Sequence, residues 1–134
     1  MWHGIYKRWT PLTAWSSCRV EIEALHDDLE GFRFWLQNHD PRLGRVFVQF
    51  DSPLFYCASD ESNRVSELKP EQADLQFPHV FWTVDDSELV RIFNRQSCNL
   101  HADFGIVHYC FLSCNQCIDV LSCKPPLFTG DTQE

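Results

Sequence analysis

Apolar residues recur at every second position in the early part of the chain. Val20, Ile22 and Ala24 alternate with Glu21 and Glu23, and Phe32, Phe34 and Leu36 alternate with Arg33 and Trp35. Successive side chains of a strand point to opposite faces, so this period predicts two half-buried strands. Between them, Asp27-Asp28-Leu29-Glu30-Gly31 has turn chemistry and predicts a hairpin. Asn38-His39-Asp40-Pro41 and Gly44 punctuate the chain again, because proline restricts its own φ and keeps the residue before it out of a helix. Val46, Val48 and Phe50 then share a face. After Asp51-Ser52-Pro53, the run Leu54-Phe55-Tyr56-Cys57 continues as a short strand or edge segment. The first half predicts a β-meander.

The alternation dissolves into polar residues between Ser59 and Gln76, where Val65 and Leu68 before Pro70 mark a short helix near 60–69. Phe77 to Val84 is apolar and aromatic and predicts a strand entering the core. A helical signal follows over 85–97. With Asp85 as N-cap, Glu88 falls at the third helical position and Val84 staples onto Leu89. Leu89, Ile92 and Phe93 form one stripe, while Arg91 and Arg95 face water. Phe104–Ser113 and Cys117–Ser122 predict two strands joined at Cys114-Asn115-Gln116. Pro125 and Pro126 stop the second, and the polar tail 129–134 is expected to fray. The chain 1–134 thus reads as a single α+β domain, predominantly an antiparallel sheet of about five to seven strands with one amphipathic helix.

Composition refines this picture. A chain of 134 residues with 44% apolar and 14% aromatic content can close one continuous core. No apolar run reaches the length of about 18 residues needed to span a bilayer. The start, Met1 to Arg8, has no apolar stretch followed by a small-residue cleavage site, so the expected location is cytoplasmic. The net charge of −8 repels nucleic-acid phosphate and suits a basic partner. Acidic residues gather in three places: Asp27, Asp28 and Glu30; Asp60 and Glu61; and Asp85, Asp86 and Glu88. Turn and cap chemistry accounts for much of the first and third groups. Convergence of these residues on one face would make a partner-binding surface.

The chemistry-bearing residues are less eloquent. Seven cysteines are an odd number, set mostly in apolar segments, where reduced thiols pack as small hydrophobes. Cys114-x-x-Cys117 has the bite of a zinc or redox pair, but Cys110 and Cys123 flank it inside strand-like runs and supply no second pair of matching spacing. His108, with His26, His39, His79 or His101, is a candidate base for a thiol, though adjacency in sequence does not position a nucleophile. The chain contains no Gly-rich phosphate loop, no His-Glu-x-x-His and no Gly-x-Ser-x-Gly. No catalytic residue, metal or cofactor is assigned on these grounds.

The order of the elements resembles a group of small bacterial immunity-type or uncharacterised proteins. The likeness rests on Phe47-Val48-Gln49-Phe50-Asp51-Ser52-Pro53-Leu54, Asp60-Glu61-Ser62-Asn63-Arg64, Phe81-Trp82 through Ser87-Glu88-Leu89, and His108-Tyr109 leading to Ile118-Asp119-Val120-Leu121. It covers roughly residues 19 to 126 and includes no catalytic signature. The resemblance implies a cytosolic protein that binds and neutralises a cognate toxin of the secretion-system or polymorphic kind. It would do so by covering the active site of a basic toxin domain, without nucleic acid or membrane as partner; a homo-oligomer is compatible with it. The cysteine-rich stretch from Cys110 to Cys123 departs from the plainer turn that such proteins would have. Two other readings stay open: a small enzyme or zinc- or redox-dependent regulator using the C-terminal Cys and His residues, and an adaptor or assembly subunit.

Overall fold

The computed structural model describes residues 2–15, 19–60 and 79–130. Among the described residues, nine strands form two antiparallel sheets. They are β1 (Ile5–Arg8), β2 (Val20–Asp28), β3 (Gly31–Asn38), β4 (Arg45–Phe50), β5 (Phe55–Asp60), β6 (Phe81–Asp85), β7 (Val107–Leu112), β8 (Gln116–Ser122) and β9 (Leu127–Gly130). The larger sheet has the order β1-β6-β7-β8-β5, and the smaller has the order β2-β3-β4-β9. One helix, α1 (Glu88–Gln96), joins β6 to β7, and a 3-10 turn (Thr13–Trp15) precedes β2. The fold is α+β and mostly antiparallel sheet, as expected. No helix among the described residues is long and apolar enough to cross a membrane.

The strand count exceeds the five to seven read from the alternation because β1 and β9 carry almost no pattern. Each is a four-residue edge strand in which only Tyr6 or Phe128 is partly covered. The tail accordingly does not fray from residue 129: Thr129 and Gly130 pair with Phe47 and Val46 of β4, while residues 131–134 lie outside the described residues. The meander also ends sooner than expected. β2, β3 and β4 are consecutive neighbours, but β5 crosses to the other sheet and pairs with β8. The turn at Asp51-Ser52-Pro53, with Ser52 at φ +54, redirects the chain. Asp60 ends β5, and the rest of the helix expected near 60–69 lies outside the described residues.

A bulge corrects the face of β2. Ile22 lies opposite Leu36 but Ala24 lies opposite Trp35, leaving Glu23 as the extra residue. An inserted residue flips the period-2 phase beyond it. Ala24 therefore leaves the core face, and Leu25, opposite Phe34, packs against the core instead.

The inner faces of the two sheets enclose an aromatic core. Phe34 meets Phe111 edge-on across the sandwich at 4.9 Å, and Phe32 stacks on Tyr56 at 4.0 Å. Edge-to-face contacts place the positive ring edge on the negative ring face, so they add to the area term. Trp9 closes one side of the core, with its ring 5.0 Å from Tyr109 and 5.7 Å from Phe128. Asn115, in the turn between β7 and β8, ties the sheets together: its side chain accepts from Ile22 N–H and donates to the Ile22 carbonyl, each at 3.0 Å.

The helix starts later than Asp85. β1 pairs with β6 as far as Ile5 opposite Asp85, which keeps Asp85 extended and beside Lys7. Asp86 makes the corner at φ +50, with its carboxylate 2.7 Å from Arg91. Ser87 is the N-cap, and its hydroxyl accepts from Val90 N–H at 3.1 Å. Glu88 is consequently the first helical residue. It accepts from His3 N–H at 3.1 Å and donates its own N–H to the His3 carbonyl at 2.8 Å.

Candidate functional site

The outer face of the larger sheet collects residues that the alternation marks only as strand positions. One row across it runs Tyr6, Val84, His108, Leu121, Phe55; the next runs Arg8, Trp82, Cys110, Asp119, Cys57. The corner where β6 becomes α1 folds over the first row. Ser87 therefore arrives above His108, and Phe93 of the helix reaches within 6.3 Å of Phe55.

A continuous polar chain results. Ser87 Oγ is 2.7 Å from His108 Nδ1, and His108 Nε2 is 2.7 Å from Asp119 Oδ1. His108 and Asp119 are 0% exposed and Ser87 5%. An ionised carboxylate only accepts, so the proton on the second link sits on Nε2. Nδ1 shares the first link with the Ser87 hydroxyl, whose oxygen also receives the Val90 N–H. Each of these donors and acceptors is used, which is what burial of such groups demands. Adjacency in sequence sets His108 beside Cys110. The geometry instead joins it to Ser87 and Asp119, neither of which sequence reasoning singled out. A signal for them exists: His108 is the one imidazole of β7 and Asp119 the one carboxylate of β8, in strands that are otherwise mostly apolar, and such residues need a partner when buried.

At the β5 edge of the sandwich lies an open groove of about 850 Å³. Phe32, Phe50, Phe55 and Tyr56 give it aromatic walls, and Asp27, Glu30 and Asp51 give it carboxylates. Leu29, Phe55 and Leu127 line it with 107%, 39% and 71% exposure. The bulge in β2 positions Asp27, turning it toward Tyr56, whose hydroxyl titrates above its ordinary range because of burial and then of the hydrogen bond to Asp27.

The acidic residues proposed for partner binding separate in space. Asp27, Asp28 and Glu30 stand at the β2–β3 tip beside the groove. Asp28 holds Arg33 through two hydrogen bonds of 2.6 and 3.1 Å, and this Arg33 bond is the main reason its carboxyl is lowered to about 2. Asp85, Asp86 and Glu88 occupy the β6–α1 corner, with β7 and β8 lying between β6 and β5 in the larger sheet. Asp60, opposite Gln116, ends β5 far from the groove, and Glu61 lies outside the described residues. The groove thus gathers Asp27 and Glu30 of the first group and adds Asp51 of the β4–β5 turn.

The thiols divide as well. Cys110 and Cys117 are buried on the outer sheet face, whereas Cys114 and Cys123 are exposed, contrary to the packed strand position that alternation predicts for Cys123. β8 ends at Ser122, one residue before it. Among the described residues no three His, Cys, Asp or Glu side chains converge at metal-binding distance. Scans against protein-family models, curated protein sequences and solved structures return no match to this chain.

Proposed function

We propose that the protein is an immunity-type inhibitor that takes a basic, apolar-tipped segment of a cognate toxin into the groove between the β2–β3 tip and β5. One observation carries this reading: exposed Leu29, Phe55 and Leu127 surround carboxylates at a large concavity. Isolated apolar side chains on a surface are ordinary, but grouped around an acidic hollow they mark an interaction surface. Binding energy at such surfaces concentrates in a few apolar or aromatic anchors ringed by polar contacts. The lining carboxylates Asp27, Glu30 and Asp51 outnumber the neighbouring cations Arg33 and Lys124. A basic partner would be steered to the groove, and the net charge of −8 acts in the same direction.

Co-expression with the toxin encoded beside it tests the proposal. The full chain should protect cells and co-purify with a basic toxin domain. Leu29→Asp together with Asp27→Lys should weaken binding at least about tenfold, the scale of one lost anchor. Absence of protection against every neighbouring toxin would overturn the reading.

A further inference from the structure

We propose that the second half of β2 is a docking edge, to which a basic extended segment of the partner adds as an antiparallel strand. A lysine or arginine of that segment lies opposite Asp27, and an apolar residue lies opposite Leu25. The proposal rests on the groove reading above and names how the segment is held. It starts from where the backbone groups of β2 point. In an antiparallel pair, alternate residues turn their N–H and C=O toward the neighbouring strand and away from it. β2 is an edge strand, so the groups turned away from β3 face outward. In its first half these belong to Val20 and Ile22, and the β7–β8 turn takes them. Cys114 N–H donates to the Val20 carbonyl at 2.8 Å, while the Asn115 side chain accepts from Ile22 N–H and donates to the Ile22 carbonyl. Asn115 thus stands in for one residue of a paired strand. The bulge at Glu23 ends this arrangement and shifts the alternation by one residue, so the outward groups become those of Leu25 and Asp27. No hydrogen bond among the described residues takes them. His26, Asp27 and Asp28 are exposed, so a strand can approach this stretch.

Charge decides what adds. β2 carries Glu21, Glu23, Asp27 and Asp28 and no lysine or arginine. Charged side chains guard edge strands against chance pairing, and these four carboxylates turn away an acidic strand while favouring a basic one. They also oppose a second copy of this chain, whose own β2 would bring the same four to the contact. Side-chain direction then sets the order of residues. Asp27 lines the groove and Leu25 packs against the core. Residues directly opposite on an antiparallel neighbour point to the same face, so the partner residues facing these two turn inward as well. Each of the two exchanges both its N–H and its C=O with β2, giving four backbone hydrogen bonds. The residue between them lies opposite His26 and faces outward. With antiparallel polarity, the partner segment reads basic, any residue, apolar.

A backbone-cyclised hairpin peptide whose outer strand reads Thr-Lys-Thr-Val-Thr is the probe, because a preformed strand has less freedom to lose on binding. Its lysine and valine N–H groups point outward, and the threonines pair within the hairpin. On titration into the full chain, amide exchange at Leu25 and Asp27 should slow at least about tenfold. N-methylation of the lysine and valine amides should weaken binding at least about tenfold, the scale of two lost hydrogen bonds. Glutamate in place of the lysine should weaken it too. Absence of binding, or equal binding by the N-methylated peptide, would overturn the proposal. Movement of Tyr56 resonances with unchanged exchange at Leu25 and Asp27 would overturn strand addition and leave the groove reading standing. Slowed exchange at both residues, in a chain that protects against no neighbouring toxin, would support strand addition and overturn the inhibitor reading.

Discussion

His108 Nε2 lies 2.7 Å from Asp119 Oδ1, although the two residues are not paired across β7 and β8. His108 stands opposite Leu121, and Asp119 opposite Cys110, so the contact is a diagonal one between adjacent rows of the sheet. Diagonal neighbours on one face are within reach of long side chains. The arrangement lets the imidazole meet Asp119 on one side and the helix start on the other.

Removing Asp119 should leave the buried His108 Nε2 without its hydrogen bond. Asp119→Ala is expected to cost about 1–3 kcal/mol, the scale for leaving a buried donor without its acceptor. Replacing both, as in His108→Leu with Asp119→Leu, should recover most of that loss, because apolar residues need no partners. Urea denaturation of the three proteins at one pH checks this. Equal losses in the single and double variants would show that the pair is not the source of the cost.

Ser87 should outweigh the acids around it. Ser87→Ala loses an N-cap, about 1 kcal/mol, and leaves His108 Nδ1 without its hydrogen bond, a further cost of about 1–3 kcal/mol. Asp85→Ala and Asp86→Ala should each cost less than about 1 kcal/mol, since both belong to exposed ion pairs. The same denaturation curves rank the three. A larger loss at Asp85 than at Ser87 would return the cap to Asp85.

That ranking separates what the chain spells out locally from what it does not. Phe32, Phe34 and Leu36, or Val46, Val48 and Phe50, announce their buried face through period-2 alternation, and each of the six is buried. The acidic run at 85–88 announces a helix start, but three adjacent cap-capable residues fit the same local chemistry. Pairing of Asp85 with Ile5, eighty residues earlier, decides among them. Ala24 and Leu25 exchange roles through a bulge that hydropathy does not mark. The groove is legible only in part. Its turn acids stand out in the sequence, but their meeting with Tyr56 and Asp51 depends on β5 crossing to the other sheet. The polar chain of Ser87, His108 and Asp119 is further still from local reading, since its members come from a corner and two strands.

Asp28 supplies a test of the groove rim. Its carboxyl is held at about 2 chiefly by the hydrogen bond from Arg33. A depressed carboxylate favours the folded state at pH values above its unfolded value of about 3.9. The contribution fades as pH falls from there through about 2. Carboxyl-carbon NMR should place the Asp28 midpoint near that lower value, and Arg33→Met should move it back toward about 3.9. An unmoved midpoint in the variant would deny Arg33 the leading role.

Tyr56 reports on the groove from its other side. Burial is the first cause of its raised titration, and the hydrogen bond to Asp27 is the second. For a group raised in the folded state, the stabilising contribution is complete below the unfolded value of about 10 and is lost as pH climbs through the folded one. Asp27→Asn removes the negative charge beside the phenol but keeps a hydrogen-bonding group. It should lower the Tyr56 midpoint without returning it to about 10, because burial against Phe32 remains. Ring-carbon NMR resolves Tyr56 from Tyr109, which is also raised by burial but does not face Asp27. A basic peptide seated in the groove should stabilise the phenolate and pull the Tyr56 midpoint down further, leaving that of Tyr109 in place. A peptide that shifts neither tyrosine, or shifts both equally, would not be occupying the groove.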